Sequence, residues 1–100
     1  MFNMLQNFTA TSSANSTVNI IPSQSKEILL LSLYLNGGAN GGTVTINYPN
    51  GFSAGFTIAA EDTIVLDSQV AIPSGSTLSF NASAAGIKAM ASATLSLADV

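Results

Sequence analysis

The sequence predicts an all-β chain, an antiparallel β-sandwich or jelly-roll-like barrel of about seven to eight short strands. Three observations carry this. Apolar and polar residues alternate over much of the chain, as in strands with one buried face. Clusters of Gly, Asn, Pro and Ser recur every roughly 8 to 12 residues, the spacing of turns between short strands. No stretch demands a helix, and Ser, Thr and Asn make up about a third of the 100 residues, which suits a strand surface with neutral hydrogen-bonding groups.

Residues 1–15 read as an N-terminal arm and 16–100 as the sandwich domain. The arm sets Phe2, Met4, Leu5 and Phe8 among Asn and Gln without forming a clear element. Chain ends stay loose unless something ties them down, so this segment is either a frayed end or first strand of the core, or an arm that docks on a partner. From Ser16, "STVNII" puts Val18 and Ile20 on one face, and Pro22 closes the run. In "KEILLLSLYLN", Leu29, Leu31, Leu33 and Leu35 share one face while Ile28, Leu30 and Tyr34 occupy the other. Apolar residues on both faces imply a strand covered on both sides, which makes Ile28, Leu30 and Tyr34 the candidate oligomer interface.

"NGGANGG" at 36–42 carries the residues of a tight reversal and predicts a hairpin into "TVTINYP", where Val44, Ile46 and Tyr48 alternate with polar residues. "NGFSAGF" is a second turn, flanked by Phe52 and Phe56. Glu61 and Asp62 sit in a turn before "TIVLD", where Ile64 and Leu66 alternate with Thr63, Val65 and Asp67. "PSGS" turns the chain into "TLSFNAS", with Leu78, Phe80 and Ala82 on one face. The last run, after Gly86, lines up Ile87, Ala89, Ala91, Ala93, Leu95 and Leu97, small enough at the alanines for another sheet to approach closely.

Charged residues are 7% of the chain, against about 25% in an ordinary soluble domain. Lys26 and Lys88 are the only cations and the net charge is −3, too little positive charge to neutralise phosphates, so neither nucleic acid nor an anionic membrane is an expected partner. With few charges to repel neighbours, copies pack against one another at low electrostatic cost. The start has no basic n-region and the longest apolar run falls far short of the ~20 residues of a spanning helix, so the expectation is a soluble protein made in a cytoplasm.

Catalysis finds little material. There is no Cys and no His, which removes disulfides, thiolate metal sites and the usual base of a nucleophilic triad, and leaves the serines as surface and turn residues. Glu61, Asp62 and Asp67 are the one carboxylate cluster, and their turn positions point to backbone hydrogen bonding rather than glycoside chemistry. No metal site, cofactor or enzymatic activity is expected; the Asn/Gly loop lacks the carboxylates calcium requires. Tyr48, Phe52 and Phe56 form the most plausible small-ligand surface, weighed against placement of Tyr48 and Phe56 in the core. Sequons begin at Asn7, Asn15 and Asn81, as expected by chance from the Asn, Ser and Thr content.

Residues 26–97 resemble the short β-rich virion proteins of tailed bacteriophages. The match is carried by Asp62, Thr63, Leu66, Ile72, Gly75, Thr77, Leu78, Ala82 and Ser83, with "TVTI" at 43–46 upstream. Ser76 stands where an acidic residue often follows the turn glycine, and the first hairpin arm is shorter. The resemblance implies a non-enzymatic capsid decoration or cement protein on the virion surface, binding the major capsid protein as a homo-oligomer, with a trimer favoured by family habit. Phe2, Met4, Leu5 and Phe8 would then be the capsid-binding arm. The alternative is a glycan- or receptor-binding module of a fibre or tail, using Tyr48, Phe52 and Phe56.

Overall fold

The computed structural model describes residues 3–67 and 69–96. Among them run β1 (Asn3–Thr11), β2 (Ser16–Ile21), β3 (Ile28–Asn36), β4 (Gly42–Asn47), β5 (Ser53–Ile58), β6 (Thr63–Leu66), β7 (Val70–Ile72), β8 (Leu78–Ala82) and β9 (Lys88–Ser96), with a 3-10 turn at Pro49–Gly51. They build two antiparallel sheets, β1-β9-β3-β6 with β7 also on β3, and β2-β8-β4-β5. β6 pairs with residues 33–36 of β3 and β7 with residues 28–30, so the two occupy one strand position, β6 ending at Leu66 and β7 starting at Val70.

The pairing follows a single rule. Asn3 faces Ser96, Thr17 faces Asn81, Leu33 faces Leu66 and Thr45 faces Gly55, pairs whose residue numbers all add to between 98 and 100. The chain is one long two-stranded ribbon, closed at the Tyr48–Phe52 turn and bent at three corners. Rolling it brings β3 against β9 and β4 against β8. Two four-position sheets wound in this order are a jelly roll, one of the two architectures the turn spacing predicts.

Burial follows the alternation. Val44 and Ile46 of β4, Leu78, Phe80 and Ala82 of β8, and Ala89, Ala91 and Ala93 of β9 all point into one core between the sheets. Two expectations need correction. First, β3 carries a bulge between Leu30 and Ser32. The extra residue shifts the parity of the pleat, so Ile28, Leu30, Leu33 and Leu35 all face the core while Leu29 is exposed and Leu31 and Tyr34 are half-buried. A second bulge between Asn19 and Ile21 likewise buries Ile20 and Ile21 together.

Second, "NGGANGG" is a crossover between sheets and not a hairpin, because β3 and β4 lie in different sheets. Its glycines answer to crowding as well as to turn geometry. A Cβ on Gly37 would stand 2.1 Å from the Ala59 carbonyl oxygen, and one on Gly41, whose φ is +66°, 2.5 Å from that of Ile58. Of the readings of the first residues, the structure shows the first strand: residues 3–11 are β1, paired with β9 along its whole length.

Candidate functional site

The candidate site is the outside of the sandwich, whose two faces differ in chemistry. On the outer face of β1-β9-β3-β6/β7, opposed residues form cross-strand rows. One row runs Leu5, Thr94, Leu29, Ala71, and another Thr9, Met90, Tyr34, Val65. Leu5 is 64% exposed and Val65 49%, and Leu29 is exposed too. Between these rows Ser32 donates to Asp67 at 2.9 Å, and beyond them lies Lys88 between Thr11 and Asn36. A shallow depression lined by Thr9, Tyr34, Asn36, Lys88 and Met90 marks this end of the face.

The outer face of β2-β8-β4-β5 holds neither charge nor exposed apolar side chains. Its rows read Asn19, Ser79, Asn47, Ser53 and Thr17, Asn81, Thr45, Gly55. Asn47 donates to Ser79 and Asn81 to Thr17, each at 3.4 Å, so part of the hydrogen-bonding capacity is spent along the sheet itself.

The residues singled out from the sequence scatter over this scaffold. Phe2 lies outside the described residues. Met4, Leu5 and Phe8 belong to β1; Met4 and Leu5 are exposed and Phe8 packs partly on the core. Ile28 and Leu30 are sealed in the core of the protomer and offer no surface to a second subunit; Tyr34 alone of that trio reaches the outside, half-buried. At the ribbon tip, Tyr48 and Phe52 come together with Pro49, Asn50, Val70 and Ala71 around a shallow cleft, where Phe52 is 70% exposed. Phe56 packs against the core and takes no part in the cleft. Burial raises the Tyr48 hydroxyl pKa above its ordinary value.

The three acidic residues of the predicted cluster sit at turns or cross-strand contacts. Asp62 accepts from the Thr63 amide at 3.1 Å, Asp67 from Ser32, and Glu61 sits at a positive φ of 63° in the turn that closes on Gly38. Among the described residues no three acidic side chains cluster as a metal site would require.

Sequence reasoning missed Ser12. Read as turn material, it is buried, and its hydroxyl donates to the Ala84 carbonyl at 2.7 Å and accepts from the Ile87 amide at 2.9 Å. Backbone bonds between Ser12 and Ile87 and from Gly86 to Ser12 complete a clasp between the β1–β2 corner and the β8–β9 corner. Only the ribbon rule, which places residue 12 beside residue 87, would have exposed it.

No protein-family model and no curated protein matches the chain. Several solved chains share its fold, two of them as follows. One comes from work titled "Bacillus endospore appendages form a novel family of disulfide-linked pili", with a TM-score of 0.55 and 18% identity over 94% of this chain and 84% of that one. The other is the virus-like particle of extra small virus from the giant freshwater prawn Macrobrachium rosenbergii, with a TM-score of 0.56 and 10% identity over 95% of this chain and 79% of that one. At such identities the likeness is one of fold.

Proposed function

We propose that the chain is a non-enzymatic structural subunit of a multi-copy protein particle, serving on a virion as a decoration or cement protein that docks on the assembled shell. The observation that carries this reading is the outer face of β1-β9-β3-β6/β7. It presents Leu5, Leu29 and Val65, while the Asp67 carboxylate beside them is held by Ser32 and that of Asp62 by the Thr63 amide. Burying such side chains contributes about 1.5–3 kcal/mol each before the costs of association. One copy gains little from three partly exposed residues; many copies on one particle gain stable attachment through avidity. Both fold neighbours are named as subunits of assemblies, a pilus and a virus-like particle, which supports the same reading. The pili are described as disulfide-linked, whereas this chain has no cysteine and would assemble through non-covalent contacts alone.

The test is co-sedimentation with shells assembled from the major capsid protein, comparing the natural chain with a Leu29→Asp/Val65→Asp double variant. Saturable binding that the double variant loses while keeping its β-sheet circular dichroism is the expected result. Equal sedimentation of both proteins, or of neither, would sink the reading.

A second reading rests on Phe52, an exposed ring beside Tyr48 at the ribbon tip. A glycan- or receptor-binding module would use this cleft, and Phe52→Ala would then abolish retention on immobilised glycans without touching particle binding.

A further inference from the structure

We infer that β1 is a self-pairing edge: two copies of the chain join antiparallel along β1, with a two-fold axis at Gln6, fusing their β1-β9-β3-β6/β7 sheets into one. This adds a partner and a seam to the subunit reading and can be tested apart from it.

The four sheet edges are unequal. The β6/β7 edge is made of two short strands, of four and three residues, with Asp67 directly after the first. The β2 edge is bulged at Asn19/Ile21 and stops at Pro22. The β5 edge is six residues long and contains Gly55. β1 is nine residues long, runs beside β9 without a bulge and contains no charge and no proline. Among the described residues no strand pairs with its outer side. Natural edges avoid accidental pairing with charges, prolines, bulges or brevity, and β1 has none of these.

The strand's own pattern selects a second copy as occupant. Being uncharged, it does not repel itself. Opposed residues in an antiparallel pair share a face, so inward residues meet inward residues only when the two residue numbers add to an even number. A sum of 12 sets Met4 of each copy opposite Phe8 of the other, Leu5 opposite Asn7, and Gln6 opposite Gln6 on the axis. Met4 pairs with the core-packed Leu95 and so stands at a core-facing position, yet it is 49% exposed, and Phe8 is only partly covered. This register covers both, with a sulfur–aromatic contact made twice. A sum of 14 would place the Gln6 amide against Phe8, and a sum of 10 would shorten the overlap to about five residues.

Because the chain lacks cysteine, single substitutions report the seam directly. Opposed residues lie about 4.5–5.5 Å apart at Cα, within disulfide reach. Gln6→Cys should form a disulfide-linked dimer at least about tenfold faster than Ser53→Cys on the β5 edge, through the raised local thiol concentration. Light scattering should give the natural chain a mass of two protomers or an even multiple. Leu5→Lys, a blunted edge, should give a folded monomer. A monomeric natural chain, a mass of three protomers, or equal cross-linking of the two cysteine variants would overturn the seam. Particle binding without Gln6 cross-linking would overturn the seam and leave the subunit reading standing; Gln6 cross-linking without particle binding would support the seam and remove that reading.

Discussion

The two outer faces of this sandwich are built from the same strand period, yet one shows Leu5, Leu29 and Val65 to solvent together with Asp67 and Lys88, and the other shows only Ser, Thr, Asn and Gly. Neither difference is needed for folding, because both faces stand on the same core. The polar face meets its hydrogen-bonding needs with water and with its own neighbours, as Asn47 does with Ser79. The apolar face has unspent surface free energy that only another surface can relieve. On the proposed reading, docking falls on the apolar side and the polar side stays in contact with water.

The contrast breaks most severely if the shared core fails. Phe80 is fully buried on the inner side of the polar sheet, and Phe80→Ala should cost about 3–5 kcal/mol, read as a lowered urea midpoint, and erase both faces together. A smaller loss separates serines by context. Ser12→Ala should cost about 1–3 kcal/mol because the buried Ile87 amide loses its acceptor, whereas Ser53→Ala on the polar face should stay within about 0.5 kcal/mol. Equal denaturation midpoints for the two variants would refute the clasp.

The faces themselves are distinguished by a matched pair of charges. Val65→Asp should weaken binding to assembled shells at least about tenfold, or about 1.4 kcal/mol, and Thr45→Asp on the opposite face should leave it unchanged; co-sedimentation reads both. The smallest expected effect is at Tyr48, on the turn that leaves β4. Burial makes the folded state hold the phenolic proton to higher pH than the unfolded chain does, so stability is unchanged below the ordinary value of about 10 and falls as pH rises beyond it. In Tyr48→Phe the fall should shrink; urea midpoints measured across that range decide it.

Much of the fold is legible in the sequence where the chain is regular. In β4, β8 and β9 strict alternation assigns each side chain to core or solvent, and Val44, Phe80 and Ala91 lie where the pattern puts them. Legibility stops where a single residue changes the parity. Nothing local in "ILLLSLYLN" distinguishes a straight strand from one bulged at Leu31, and that bulge moved Ile28 and Leu30 from the candidate interface into the core. The aromatic trio separates for a related reason. Phe56 sits on an inward position of β5, whereas Tyr48 and Phe52 belong to the turn between β4 and β5, where Tyr48 packs partly on the core and Phe52 projects.

Local chemistry determined that this chain is made of short strands, which side chains each regular strand buries, and that no histidine or thiol chemistry is open to it. These depend on neighbours one or two residues away and on composition. Tertiary structure alone decided that "NGGANGG" passes between sheets, that Ser12 closes a corner on Ile87, and that β1 is left as a long bare edge. The physical reason is that a turn residue specifies a reversal of direction but not the sheet the chain enters next. That choice is made when the whole ribbon rolls up, by contacts between residues as far apart as Asn3 and Ser96.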